Sequence, residues 1–334
     1  MADIILHNYP ISPFSEKVRL VLGFKQLAWK SVIIPSVMPK PDVVALTGGY
    51  RKTPFLQIGS DVYCDSALIC DVLEHLAPTP TLYPAADKGL ARIVAQWADE
   101  KLFWVAMAYN FSPKGTAQLF GGGNPDAPIE QWGPIAKSFG EDRGKMRVGM
   151  PRIPVADAAA AYKSYLRRIA NMLEGQHYLL GDTPCVADFA VYHALWFTRT
   201  QTPVMAGILD ATPAVLAWMD RMAAIGHGKF EKMSATESIA ICARSAGATA
   251  WFGTDFSLVK VAEKSRELAE VQGTDDKVGK VFINATSGFA NVHQSIWQHT
   301  IGGYQVLHKW LDDRRKAGRS LSQDDITHWL RVYA

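Results

Sequence analysis

Along the first eighty residues the apolar positions change their spacing several times, and each change marks an element. Ile4, Ile5 and Leu6 form a short continuous apolar run within Asp3 to Asn8, the signal of a buried strand. Tyr9-Pro10-Ile11-Ser12-Pro13 interrupts it, and a helical period follows from Ser15 to Gln26. Val18, Val21 and Leu22 share one face of that helix, while Glu16, Lys17 and Arg19 can reach water. A second apolar strand is predicted over Ser31 to Ile34, then a proline-rich loop through Pro35, Pro39 and Pro41. Phe55 to Ile58 and Val62 to Cys64, separated by Gly59-Ser60-Asp61, read as a hairpin. Asp65-Ser66 opens a helix whose apolar side carries Leu68, Ile69, Val72, Leu73 and Leu76, and Pro78 and Pro80 stop it. The order β-α-β-loop-β-β-α predicts a small α/β sandwich.

From Lys88 to about Gly228 the pattern is helix and loop. Leu90, Ile93, Val94 and Trp97 begin a long amphipathic run that ends near Phe111. Ser112 to Pro154 is rich in Gly and Pro and is predicted to be an irregular excursion, a kind of segment that often carries function. Helical spacing returns with Tyr165, Leu166, Ile169, Met172 and Leu173. Thr183-Pro184 and Thr212-Pro213 each predict a helix start, threonine capping and proline in the first turn, with Gly226 and Gly228 closing the second helix. Beyond these, a helix is expected over Ser257 to Gln272, a strand over Val278 to Asn284, and a helix after Gly302-Gly303. Ser322-Gln323-Asp324-Asp325 reads as a capping box. Breaks near Pro78–Asp87 and Lys232–Ala235 divide the chain into residues 1–80, 88–232 and 233–334.

A chain of 334 residues suits two or three such units. Apolar residues make up 48% and charged residues 20%, which excludes a wholly disordered chain. Thirty-five basic residues against 32 acidic ones leave a net charge of +3, too small to mark a nucleic-acid binder or a polybasic membrane protein. The four cysteines lack metal-ligand spacing and are too few for a disulfide scaffold. No secretory leader and no run of about 18 apolar residues is present, so a soluble, cytoplasmic protein with no membrane association is expected.

Three places concentrate chemistry. Ser12-Pro13-Phe14-Ser15 stands where a strand hands over to a helix, so unpaired N–H groups and the positive end of the helix dipole converge on it. A thiolate bound there would be stabilised, and a serine hydroxyl could donate to it; equally, Ser12 or Ser15 could simply cap the helix. Lys52-Thr53-Pro54 places a proline at the entrance to an apolar strand, where a cis bond would free backbone groups for an extended ligand. Asp65-Ser66 offers a carboxylate and a hydroxyl at another helix start, suited to an α-amino-acid head group or to capping alone.

Together these features resemble the glutathione transferase family. Ser12 to Arg19 is similar to the stretch in which that family places its serine or cysteine, and to a glutaredoxin Cys-Pro-Tyr-Cys motif with both cysteines replaced by serine. Thr53-Pro54 matches the family's cis-proline position, Asp65-Ser66 its acidic-Ser pair for the γ-glutamyl group, and Gly181 to Asp188 its helical-domain signature, although Cys185 stands where Ser or Thr usually caps. The resemblance implies a thioredoxin-like first domain, a helical-bundle second domain and a homodimer. It also implies glutathione as co-substrate, with Ser12 contacting the thiol, and a small apolar electrophile as the second substrate. Tyr9 competes with Ser12 for the thiol; Ser12 fits the family's register before Arg19 better. Without cysteine at positions 12 and 15, thiol–disulfide exchange lacks its attacking thiolate. Trp104, Ala108 and Tyr109 are the candidates for the electrophile's pocket.

The last segment carries a second resemblance. Ile301 to Leu311, Arg319 to Ser322 and Asp325 to His328 look like the tail of bacterial single-chain restriction–modification and helicase-like proteins, where that region belongs to a DNA-recognition module. With only a slight basic excess and no accompanying nuclease, helicase or methyltransferase motif, the preferred reading is a mainly helical appendage packed on the core, DNA binding being the alternative.

Overall fold

A computed structural model describes residues 3–47, 50–59, 61–145, 153–244 and 281–283. The expected helices over Ser257 to Gln272 and after Gly302-Gly303, and the capping box at Ser322 to Asp325, lie outside the described residues.

The first strand, β1 (Ile4–Asn8), is buried at every position because both faces of the sheet are covered. Ile4 and Leu6 point into a large core shared with the helices, and Ile5 into a smaller core on the other face. β1 pairs in parallel with β2 (Trp29–Ile33) and antiparallel with β3 (Phe55–Ile58), which forms a hairpin with β4 (Asp61–Cys64). Between them run α1 (Pro13–Phe24) and a short α2 (Pro41–Thr47), and α3 (Ser66–Leu76) follows β4. α2 replaces part of the expected proline-rich loop: Pro41 occupies the start of the helix, where its missing N–H costs nothing.

The helical half comprises α4 (Lys88–Trp97), a π-helical turn at Ala98–Leu102, α5 (Phe103–Asn110), α6 (Pro113–Phe120), α7 (Ile129–Lys145), α8 (Val155–Met172) and α9 (Val186–Trp196). A π turn (Phe197–Gln201) and a 3-10 segment (Pro203–Leu209) lead into α10 (Pro213–Ala224). Ser112 to Pro154 was expected to be irregular, yet it holds α6 and α7. Some of its glycines and prolines mark the ends of elements: Pro113 opens α6, and Gly122 and Gly123 turn the chain at φ of 69° and 89°. Others sit inside the helices: Gly115 in α6, and Gly133, Pro134, Gly140 and Gly144 in α7.

Two further expectations are corrected. Glu16, Lys17 and Arg19 do not reach water: all three are buried, Lys17 and Glu16 against the helical half and the turn after it, and Arg19 against the residues that lead into α1. Each has a partner there. Arg19 pairs with Glu16 at 2.7 Å, Lys17 with Asp99 at 2.7 Å, and Glu16 with His227 at 3.0 Å. The helix expected at Thr183-Pro184 starts later, since the chain is still extended at Cys185 (φ −126°, ψ 179°). Cys185 is the N-cap and its N–H donates to Asp188 Oδ2 at 3.0 Å. Thr212 stands at the N-cap position of α10 with Pro213 in the first turn, but its hydroxyl donates back to the Leu209 carbonyl at 3.0 Å and makes no capping bond to the helix.

Where the two halves meet, Gly23 of α1 lies against the turn that follows α10. A Cβ there would stand 2.1 Å from the carbonyl oxygen of Gly226, so no larger residue fits. The chain then returns to the sheet. β5 (Phe230–Met233) pairs in parallel with β2, and α11 (Ala235–Arg244) brings Cys242 and Ile239 onto the smaller core. β6 (Val281–Ile283) extends the opposite edge, giving the order β5-β2-β1-β3-β4-β6. The expected break at Lys232–Ala235 is thus occupied by a strand and the beginning of a helix.

Candidate functional site

β1 delivers the chain to Ser12, the N-cap of α1. Its backbone is extended, its Oγ accepts from the Ser15 N–H at 3.2 Å, and its own N–H donates to the Tyr9 carbonyl at 3.1 Å. Capping uses a lone pair only, so the hydroxyl hydrogen can still be donated to another group. The capping role and the thiolate-stabilising role are therefore compatible. Ser12 is 2% exposed, and it borders a cavity of about 410 Å³ between the sheet and the helical half.

Tyr9, Lys52, Thr53, Pro54, Asp65 and Ser66 border the same cavity. Thr53 and Pro54, joined by a cis bond, lie along its edge beside Lys52. Asp65 and Ser66 stand at the start of α3, where Asp65 caps the helix by accepting from the Ala67 N–H at 2.8 Å. Asp65 holds φ at 92°, an unusual value for a residue with a side chain, which costs about 1–3 kcal/mol and is typical of positions fixed for function.

Of the candidates on α5, Trp104 and Ala108 line the cavity and Tyr109 does not. Tyr109 donates its hydroxyl to the Met205 carbonyl at 3.2 Å and packs edge-on against Tyr162. Helix geometry explains the difference. Trp104, Met107, Ala108 and Phe111 follow the i, i+3, i+4, i+7 rule of one face, whereas Tyr109 is rotated about 140° from Trp104.

The cavity is lined by charges of both signs. Its acidic lining residues are Asp65, Asp99 and Glu100; burial holds the Asp99 carboxyl up to about 6 despite its ion pair with Lys17, whose ammonium also donates to Ser66 Oγ at 3.3 Å. Its basic lining residues are Lys40, Arg51, Lys52 and Arg143. Burial pushes the Lys52 ammonium down to about 8, against the pull of Asp65. Burial and the neighbouring Arg143 bring Lys40 down to about 8 as well. Lys40 and Arg143 were not anticipated from the sequence. Arg143 comes from α7, inside the stretch expected to be irregular, and donates to the Tyr9 hydroxyl at 3.0 Å.

Cys64, Cys70, Cys185 and Cys242 are all free thiols and buried, and burial pushes the Cys70 thiol up to about 12. Among the described residues no group of three or more His, Cys, Asp or Glu side chains is placed to hold a metal ion, and no helix is long and apolar enough to cross a membrane.

Three family models match the chain: the glutathione S-transferase N-terminal domain over residues 6–81, the glutathione S-transferase C-terminal domain over 151–225, and the Type ISP C-terminal specificity domain over 252–334. Among solved structures, a GST-like protein from Pseudomonas syringae is 31% identical with a TM-score of 0.65, the match covering 86% of this chain and 98% of that one. FtsZ-localized protein A of Caulobacter vibrioides is 24% identical over 193 residues, 55% of this chain and 72% of its own length. Pyrimidodiazepine synthase of Drosophila melanogaster is 34% identical over 83 residues, 24% of this chain; the matched part spans about a third (34%) of that relative.

Proposed function

We propose, from the premise that this chain belongs to the glutathione S-transferase family, that it conjugates glutathione to a small electrophile as a cytoplasmic homodimer. One observation carries the reading: a single cavity gathers Ser12, Lys52, Thr53, Pro54, Asp65 and Ser66 from the sheet unit and an aromatic wall from the helical unit. Glutathione fits the distribution of charge. Its γ-glutamyl ammonium would lie at Asp65, a carboxylate would meet Lys52 or Lys40, and its sulfur would lie at Ser12.

In this mechanism Ser12 donates its hydroxyl hydrogen to the sulfur, and the N–H groups at the tip of α1 add their partial positive charge. The thiolate fraction near neutral pH rises accordingly. The apolar wall then holds the electrophile beside it, so that the bond is made by positioning rather than through a covalent enzyme intermediate.

Glutathione titrated calorimetrically into wild type and Asp65→Asn tests the binding step. A loss of tenfold or more in affinity is expected, because a charge-assisted bond to the ammonium is removed. Equal affinities would remove Asp65 from the site.

A second reading is favoured by the likeness to FtsZ-localized protein A and by the match of residues 252–334 to a specificity domain. In it the chain is a glutathione-binding module that acts through a protein or DNA partner. Retention on immobilised glutathione together with no conjugation of a panel of electrophiles would favour this second reading; conjugation would favour the first.

A further inference from the structure

We propose that the electrophile is an aromatic acid, and that Arg143 is the residue selecting its anionic group. This rests on the conjugation reading above and names its second substrate class. Among the described residues, the cations clustered at Asp142 exceed their counter-charge. Asp142, itself buried, is the carboxylate shared by the guanidinium groups of Arg51 and Arg143, and it also accepts from the Met38 N–H at 3.2 Å. Lys40 is the third cation of this cluster and is 3% exposed, donating to the Arg51 carbonyl at 3.3 Å. Three cations around one carboxylate leave an excess positive charge against a cavity wall.

Arg143 is the member of that cluster placed to use it. Arg51 is turned onto Asp142, taking both its carboxylate and its carbonyl. Arg143 lines the cavity and has hydrogen bonds to Asp142, the Tyr9 hydroxyl and the Ser36 carbonyl, three of the five N–H groups of a guanidinium. Its guanidinium carbon lies 4.1 Å from the centre of the Phe139 ring. That ring is stacked on Phe111 at 5.9 Å, and Phe111 meets Phe197 at 6.0 Å. A row of aromatic rings thus ends at a cation, which suits a flat apolar body with a carboxylate at one end. Lys52 serves glutathione's own carboxylate. In a substitution at an aryl chloride, the glutathione sulfur forms the C–S bond and chloride leaves with the bonding electron pair.

The test compares matched acid and amide probes. Calorimetric binding of 3-nitrobenzoate and 3-nitrobenzamide, without glutathione, should show wild type preferring the acid by about tenfold, the scale of one charge-assisted bond. Arg143→Gln should reduce that preference to within about twofold, and Arg143→Lys should retain part of it. The ratio of kcat/KM for 4-chloro-3-nitrobenzoate over 4-chloro-3-nitrobenzamide should fall in parallel. Equal binding of acid and amide by wild type, which needs no variant to fold, would overturn the proposal even if both amides and acids were conjugated. So would an Arg143→Gln protein that keeps the full preference. Preference for the acid without any conjugation would support the anion site and overturn the transferase reading instead.

Discussion

Replacing Asp188 with alanine removes the acceptor of three buried N–H groups at once. Asp188 is fully buried; its Oδ1 accepts from the Leu179 N–H and the Trp218 Nε1–H, both at 2.9 Å, and its Oδ2 from the Cys185 N–H at 3.0 Å. The three bonds tie the loop before α9, the first turn of α9, and α10 to a single carboxyl group. Each donor left unsatisfied costs about 1–3 kcal/mol. Against that, burial disfavours the charged carboxylate and raises its pKa, so deleting it returns a few kcal/mol of desolvation cost. The net loss expected for Asp188→Ala is about 3–5 kcal/mol. Asp188→Asn keeps one oxygen for Leu179 and Trp218 but turns an amide N–H toward the Cys185 N–H, for a loss of about 2–3 kcal/mol. Trp218→Phe leaves Asp188 two of its donors, and its polar component is about 1 kcal/mol. Guanidinium unfolding of the full chain, followed by far-ultraviolet circular dichroism, ranks the three. An Asp188→Ala protein no less stable than Trp218→Phe would refute the claim that this carboxyl group joins the three elements.

Two further perturbations probe the same framework. Gly23→Ala should lower stability by about 1–3 kcal/mol, because its Cβ would meet the backbone of Gly226, which cannot move aside as a side chain can; thermal unfolding reads the loss. His7 is buried beneath the sheet, stacked on Phe55 at 4.1 Å and donating to Gln57 at 2.9 Å, and burial lowers its ring to about 4 from the usual 6.5. Between those values the unfolded chain binds the proton and the folded chain does not, so stability falls as pH drops from above 6.5 towards 4. Urea unfolding at pH 7.5 and 4.5 should show wild type losing about 2–3 kcal/mol more than His7→Phe over this interval; equal losses would mean that His7 is protonated within the fold.

The strands and α1 were legible because a buried strand must be apolar and a half-covered helix must repeat near 3.6 residues, whatever the rest of the chain does. Ile4 to Leu6 and Val18 to Leu22 meet those demands locally. Two cavity-lining positions on the sheet unit were legible for a similar reason: Ser12 and Asp65 are helix caps, and a cap is written in one or two adjacent residues. Arg143 and Lys40 carry no such mark. Their cluster is built around Asp142, which reaches Arg51 across 91 positions of sequence, and no local pattern announces a tertiary ion pair. The same holds for Lys17, whose charge looks solvent-bound until Asp99 arrives from the helical half. In α6 and α7, glycines within the helices and Pro134 obscured the apolar period, although Phe139 and Arg143 lie one turn apart on the same face.

The central claim is that the Ser12 hydroxyl, at the positive tip of α1, keeps the sulfur of bound glutathione ionised. It is tested most directly by titrating the thiolate absorbance of glutathione bound to wild type and to Ser12→Ala. Wild type should hold the thiol at least about one unit below the free value near 8.5, and the variant should return it upward by about one unit, roughly 1.4 kcal/mol. Superimposable titrations for the two proteins would contradict the account.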